Sequence, residues 1–215
     1  MEKRIARIVS LLKKTYPEPK IALRFVNPLQ LLVSTILSAQ CTDARVNMVT
    51  QQLFKKYKTV QDYAQAKQGE FEQDIRSTGF YRNKAKNIIA AAGMIARDFA
   101  GKVPDTMESL VLLPGVARKT ANIVLYNAFG KIEGIAVDTH VRRLSQRLGL
   151  SSESDPDKIE KGLMSAVDKK LWGRITYLLI EHGRAVCNAK KPQCRSCVVN
   201  GLCPAGKEFM KEKGK

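Results

Sequence analysis

The chain has 215 residues, 44% of them hydrophobic and 27% charged, as is usual for a soluble globular protein of one large or two small domains. No stretch approaches the roughly 20 apolar residues of a membrane span, and the first residues lack the apolar run of a secretory signal. The formal net charge is +17, from 37 Lys and Arg against 20 Asp and Glu. This excess predicts a polyanionic partner, most simply nucleic acid. A general basic bias of the host's proteins is the plain alternative, and an anionic membrane surface is a weaker one.

Helical periodicity covers almost the whole chain, and no strand is predicted. The first helix carries Ile5, Ile8 and Leu12 and ends before Pro17. Asn27 and Pro28 are typical of an N-cap and a first helical residue. They predict a very apolar, buried helix over 29–40. Further helices are predicted over 43–57, 60–66, 69–77, 82–99, a short one beyond 105, then 118–129, 139–148, one opened by Asp155-Pro156, and 171–187.

The stretch 113–121 predicts a tight turn between two short helices. Pro114 fixes one dihedral angle, and Gly115 allows a backbone shape that a side chain would block. The helix that follows would present N–H groups and the positive end of its dipole, which suits a DNA phosphate. A Pro-Gly turn is also a common helix stop. The basic residues Arg118 and Lys119, together with the net charge, favour the phosphate interpretation.

Four of the five cysteines lie in one stretch near the C-terminal end, with the spacing C-x6-C-x2-C-x5-C: Cys187, Cys194, Cys197 and Cys203. Four thiolates this close in sequence can hold a tetrahedral zinc ion or the corners of a [4Fe–4S] cluster. Disulfides are the alternative, but a chain without a secretory segment is expected in a reducing compartment. The spacing alone leaves zinc and iron–sulfur open. The cysteines enclose a basic loop that carries Lys190, Lys191 and Arg195.

On these motifs the chain resembles the endonuclease III family, within the helix–hairpin–helix superfamily of DNA base-excision glycosylases. The matching stretches cover most of the chain: Leu-Ser-Ala-Gln at 37–40, the turn and helix start at 113–122, Ala-Val-Asp-Thr-His at 136–140, and the cysteine array. The resemblance implies a [4Fe–4S] cluster and not zinc. One departure is Ala117, where the family hairpin usually carries a second glycine.

The resemblance also implies an all-α, two-lobed fold. We expect one domain at 23–133 that contains the hairpin, and a second formed by 1–22 and 134–215 that carries the cluster loop. The segment 130–134 is the expected crossing. A DNA cleft would run between the lobes, with Lys119 on one wall and Asp138 on the other.

The implied activity is that of a bifunctional DNA glycosylase and AP lyase of base excision repair. It would remove oxidised or damaged pyrimidines from duplex DNA through a lysine Schiff base and β-elimination. The family's catalytic lysine and aspartate match Lys119 and Asp138. Judged as single residues, Lys119 would be a surface lysine on a phosphate and Asp138 a helix N-cap. The hairpin residues Gly115, Val116, Ala117 and Arg118, and the basic loop, are the expected DNA contacts.

Two further positions match the residues with which the family fills the gap left by an extruded base. Gln40 would hydrogen-bond the orphaned partner base, and Phe80 would act as a wedge between base pairs. An aliphatic residue is more familiar at the wedge, and without the resemblance Phe80 would be assigned to ordinary packing. Cys41 is interpreted as a small packing residue, and His140 as a local hydrogen-bonding or phosphate-contacting residue and not a general base.

Two rival functions stay open at this point. One is a monofunctional glycosylase of the same superfamily, against which Lys119 argues. The other is a non-catalytic DNA-binding module, against which the pair Lys119 and Asp138 argues. The expected partner is double-stranded DNA with damaged bases or abasic sites, with no membrane association. The protein is expected to be a monomer in the cytoplasm, with the chromosome.

Overall fold

The computed structural model describes residues 2–212, and within that range the regular structure is all helical, as predicted. Short 3-10 turns lie at Arg76–Thr78, Lys169–Leu171, Cys194–Ser196 and Asn200–Leu202. The α-helices are α1 Glu2–Thr15, α2 Pro28–Leu37, α3 Asp43–Lys56, α4 Val60–Ala64, α5 Gln68–Asp74, α6 Tyr81–Asp98, α7 Met107–Leu110, α8 Arg118–Phe129, α9 Thr139–Arg147, α10 Pro156–Ala166, α11 Trp172–Ala185 and α12 Pro204–Glu212.

The chain divides into two compact units. Ile21–Lys131 forms the first, called here the hairpin unit. The described residues of Met1–Lys20 and Ile132–Lys215 form the second, called the cysteine unit. Each unit has a hydrophobic core of its own.

In the hairpin unit, α2 is the central element. Its residues from Leu31 to Leu37 are all buried, and it packs against α3, α6 and α8. The sequence explains this position, because the helix is apolar on nearly every side and has no face suited to water. A second part of the core is aromatic: the rings of Tyr57, Tyr63 and Phe71 lie 5.1–5.9 Å apart.

In the cysteine unit, α1 packs against α11, and α11 packs against α9. Ile8 and Leu12 of α1 are fully buried together with Val141 and Leu144 of α9. The apolar periodicity that predicted α1 therefore corresponds to the face of the helix that is buried in this core. No helix of the described chain is long and apolar enough to cross a membrane.

The predicted helix starts are confirmed at the capping residues. Asn27 accepts a hydrogen bond from the backbone N–H of Gln30, with Pro28 at the first turn of α2. Asp155 accepts two such bonds at the start of α10. These caps satisfy N–H groups that the first helical turn leaves unpaired.

The helices differ from the predictions most clearly at the end of α2 and after the last cysteine. The helix predicted over 29–40 ends at Leu37, because the chain tightens at Ser38 and Gln40 adopts a left-handed backbone with φ 53°. Helix α12, after the last cysteine, was not predicted. It is short, and it packs on the 3-10 turns of the cysteine loop and on α9.

Candidate functional site

The turn between α7 and α8 forms a compact hairpin. The N–H of Leu113 donates to Leu110 O at 3.1 Å, and the N–H of Val116 donates to Leu113 O at 3.0 Å. Gly115 lies between them with φ 79°, a left-handed conformation that favours glycine. The predicted role of Gly115 in shaping the turn is therefore confirmed.

The start of α8 has no side-chain cap. Its N-cap is Ala117, which has no side-chain acceptor for the N–H groups of the first turn. A helix end of this kind offers N–H donors and a positive partial charge to an anion. Ala117 has φ −90°, which any residue adopts, so the hairpin does not need a second glycine for conformational reasons.

The side chains around this helix end divide into exposed and buried ones. Arg118 and Lys119 are exposed in the first turn of α8. The side chain of Val116 is buried, so any contact of this residue with DNA would pass through its backbone. Lys119 thus stands at the helix end where the hairpin would hold an anion.

Asp138 is the N-cap of α9. Its Oδ1 accepts hydrogen bonds from the N–H groups of His140 and Val141, each at 2.8 Å. Its Oδ2 lies 3.1 Å from Nδ1 of His140, which confirms local hydrogen bonding by that histidine. The side chain keeps 28% of its surface exposed. The carboxylate is therefore fixed in orientation yet open to a ligand.

Gln40 and Phe80 are both exposed, and both have left-handed backbones, with φ values of 53° and 48°. The side chain of Phe80 is 64% exposed, so ordinary packing at an interhelix turn does not account for it. The two segments meet at Lys84 of α6. Its Nζ donates to Leu37 O and to Thr78 O, each at 2.8 Å.

The side chains of Cys187, Cys194, Cys197 and Cys203 line one cavity in the cysteine unit. All five cysteines of the chain are free thiols, so the disulfide alternative is not realised. Among the described residues, no three His, Cys, Asp or Glu side chains form a group that could hold a single metal ion.

Several groups contact the sulfur atoms of this cavity. The N–H of Gly206 donates to Cys203 Sγ at 3.3 Å, and Nη1 of Arg147 donates to Cys187 Sγ at 3.4 Å. Nε2 of the buried His182 lies 3.3 Å from Cys197 Sγ. Such contacts hold the cysteine side chains in place.

Burial raises the pKa of the Cys197 thiol and of the Cys203 thiol, and the neighbouring cysteines raise both further. The cysteines raise one another's pKa values because their sulfur atoms lie close together. Without a cation these groups resist ionisation, whereas a coordinated metal removes the proton.

Arg147 also fastens the basic loop. Its guanidinium donates to the backbone oxygens of Asn188 and Ala189, each at 2.8 Å, and lies over the ring of Phe209. The loop itself presents its basic side chains to solvent: Lys190, Lys191 and Arg195 are exposed.

The predicted site residues are divided between the two units. The hairpin, Lys119, Gln40 and Phe80 belong to the hairpin unit, and Asp138 with the four cysteines belongs to the cysteine unit. Lys84 and Arg147 were missed by sequence reasoning. No local signal marks them, because Lys84 bonds to Leu37 O and Arg147 to Asn188 O, each more than 40 residues away. The second bond of Lys84, to Thr78 O, is local.

The hairpin before the uncapped α8 defines a helix–hairpin–helix protein. Residues 33–169 match the HhH-GPD superfamily of base excision DNA repair proteins. Endonuclease III of Synechocystis is 52% identical over 204 residues, which cover 95% of this chain and 93% of that protein.

Two solved structures are also very similar, each with a TM-score of 0.94, 44% identity, and coverage of 98% of this chain and 99% of the other. One is a non-covalent endonuclease III–DNA complex, and the other is a trapped endonuclease III–DNA covalent intermediate. The chain belongs to the HhH-GPD superfamily of base excision DNA repair proteins and, within it, to the endonuclease III family. It is a DNA glycosylase and AP lyase of base excision repair that acts on damaged pyrimidines.

Proposed function

We propose that this protein binds duplex DNA at a damaged pyrimidine and uses Lys119 as the amine nucleophile and Asp138 as the catalytic carboxylate. The observation that carries the proposal is the exposed Lys119 in the first turn of α8, directly after the Pro-Gly hairpin. The covalent DNA intermediate of a 44% identical protein supports a covalent mechanism for this chain as well.

DNA binding begins with the hairpin. The N–H groups at the start of α8 bind one backbone phosphate, with the backbone around Gly115 shaping the turn and Arg118 adding charge. The exposed Lys190, Lys191 and Arg195 contact further phosphates. These contacts carry no sequence information, which suits an enzyme that must find damage in any sequence.

The damaged base leaves the stack, which costs a few kcal/mol and is cheapest for a poorly stacked lesion. Gln40 then hydrogen-bonds the partner base, and the exposed ring of Phe80 enters the gap. Both side chains are available for this, since both are exposed at the ends of tight turns.

Chemistry starts at the unprotonated amine of Lys119. Its lone pair forms a bond to C1′ of the sugar as the glycosidic bond breaks. The base leaves with the electron pair of the glycosidic bond and takes up a proton. Opening of the sugar ring produces an iminium, the Schiff base. Loss of a proton from C2′ then expels the 3′ phosphate by β-elimination, and water releases the lysine.

Asp138 acts on the charge that develops during this sequence. Its carboxylate stabilises the positive charge on the sugar as the base departs and assists in moving protons. Two backbone N–H groups and His140 hold the carboxylate, so it does not have to reorganise during the reaction.

The cysteine cavity fits a [4Fe–4S] cluster. Four cysteine thiols line this one cavity, and the similarity to endonuclease III proteins favours iron–sulfur over zinc. Cys187, Cys194, Cys197 and Cys203 would hold the cluster. It would supply structure to the basic loop and no step of the reaction.

We further propose that the protein acts as a monomer in the cytoplasm, with the chromosome. One chain contains both the hairpin and the carboxylate, so the reaction requires no second copy. A net charge of +17 suits continuous contact with DNA.

The test is borohydride trapping on a duplex that carries one oxidised thymine. Wild-type protein should form a covalent adduct, and Lys119→Gln should bind the duplex but form none. Arg118→Gln is the matched control, because it removes the adjacent charge and leaves the amine; at saturating protein it should still be trapped. Base loss without any adduct would mean that Lys119 is not the nucleophile, and would favour a monofunctional glycosylase.

A further inference from the structure

Lys84 is a buried lysine whose hydrogen bonds go to backbone carbonyls. Its side chain is part of α6 and the residue is 5% exposed. Nζ donates to Leu37 O and to Thr78 O, each at 2.8 Å, and within the described chain no carboxylate forms an ion pair with it. Burial lowers the pKa of Lys84, as expected for a cation withdrawn from water.

The two carbonyls belong to different parts of the chain. Leu37 is the last residue of α2, and its carbonyl is one that the helix leaves without an intrahelical partner. Thr78 ends the 3-10 turn at Arg76–Thr78. The negative end of the α2 dipole also stabilises the ammonium group. One side chain thus satisfies the ends of two helical segments that are far apart in sequence.

Each of these segments leads directly into a gap-filling candidate. Gln40 follows Leu37 by three residues, and Phe80 follows Thr78 by two. Both have positive φ without being glycine, a conformation that L side chains adopt rarely and that persists where surrounding contacts hold it. Ammonium bonds to both preceding carbonyls are contacts of this kind.

We propose that Lys84 is a positioning residue that holds Gln40 and Phe80 at a fixed separation before DNA binds, so that both enter the duplex together. The inference rests on the proposed function, because it assumes that these two side chains fill the gap. A preorganised pair loses less conformational freedom on binding than two independent loops. Lys84 itself touches neither substrate nor reacting atoms.

The direct test is binding to a duplex with a tetrahydrofuran abasic analogue opposite 2-aminopurine. This analogue undergoes no β-elimination, so the measurement is independent of chemistry at Lys119. The fluorescence of 2-aminopurine reports how the partner base is held. Lys84→Met should bind about 10-fold more weakly and leave the fluorescence close to that of free DNA.

Two variants accompany it. Lys86→Met removes the same charge from an exposed position of the same helix and should change affinity less than about 3-fold, as expected for one surface charge. Lys84→Arg keeps donors for the carbonyls and should restore part of the fluorescence change. Equal effects of Lys84→Met and Lys86→Met would overturn the proposal, because charge alone would then explain both.

A double-mutant cycle separates positioning from general stability. In a Gln40→Ala/Phe80→Ala background, Lys84→Met should cause no further loss of affinity, since the residues it positions are gone. A full additional loss in that background would assign Lys84 a purely structural role. If Lys84→Met fails to fold, the smaller loss of affinity expected for Lys84→Arg is compared in the same two backgrounds, and it should likewise disappear in the Gln40→Ala/Phe80→Ala background. Failure of the proposed function would appear separately, as wild-type protein without a borohydride adduct.

Discussion

Gly115 of the hairpin lies directly against Asn87 of α6. A Cβ atom added at Gly115 would stand 2.9 Å from Cβ of Asn87 and 3.0 Å from its Nδ2. The φ of 79° adds strain for any L side chain. Glycine is therefore needed at this position for two reasons: the left-handed backbone of the turn, and the close approach of Asn87.

Gly115→Ala should lower the free energy of unfolding by about 1–3 kcal/mol and weaken DNA binding, because the hairpin must shift away from Asn87. Thermal unfolding and binding to undamaged duplex measure the two effects. Ala117→Gly is the control. It supplies the family's second glycine at φ −90°, where none is needed, and should leave DNA affinity nearly unchanged. A large gain of affinity in that variant would contradict this assessment of the hairpin.

The roles of Asp138 as cap and as catalytic group can be separated. Asp138→Asn keeps an acceptor for the N–H groups of His140 and Val141, so stability should change little. Base excision should nevertheless fall by about 100-fold or more, because the negative charge is lost. Asp138→Ala should lose the activity and about 1 kcal/mol of stability. If Asp138→Asn retained wild-type excision, the residue would be a cap alone.

The cysteines provide a matched pair of variants. Cys203→Ser should reduce the broad violet absorbance of an iron–sulfur cluster and destabilise the cysteine unit, because one of the four thiols that line the cavity is lost. Cys41→Ser should leave absorbance and iron content unchanged, since Cys41 belongs to the hairpin unit. Stoichiometric zinc in a colourless wild-type protein would refute the iron–sulfur assignment.

The salt dependence of DNA affinity should show whether the basic loop contacts DNA phosphates. Each phosphate contact contributes about −0.9 to the slope of log K against log salt concentration for duplex DNA. Lys190→Gln and Lys191→Gln should each reduce the magnitude of that slope by up to this amount, without altering the rate of the chemical step at saturating protein. An unchanged slope in both variants would place these lysines outside the DNA contact.

The buried Lys84 predicts a pH effect on stability in the alkaline range. Burial lowers the pKa of Lys84 in the folded state, and nearby Cys41 opposes only part of this shift. The unfolded chain therefore binds more protons between the lowered pKa and the ordinary 10.5. The free energy of unfolding of wild-type protein, relative to Lys84→Met, should therefore rise with pH through this window and level off above it. Chemical denaturation at several alkaline pH values measures the difference. A difference that falls with pH would mean that the charged form is the favoured one.

Local signals in the sequence predicted much of this molecule. Asn27-Pro28, Asp155-Pro156 and Pro114-Gly115 act on backbone groups within a few residues, so their effects could be read without a structure. The cysteine spacing predicted a shared site for the same reason, as all four lie in one short stretch.

Other features depend on groups that are distant in sequence. The contact of Lys84 with Leu37 spans 47 residues, and that of Arg147 with the sulfur of Cys187 spans 40. In the sequence both are ordinary basic residues among 37, and only packing shows that one is buried and the other bound to the cysteine loop. The early end of α2 belongs with them, since its last carbonyl finds its partner on α6. Periodicity and capping identify an element, but the partner of a buried polar group is chosen by chain segments that meet only after folding.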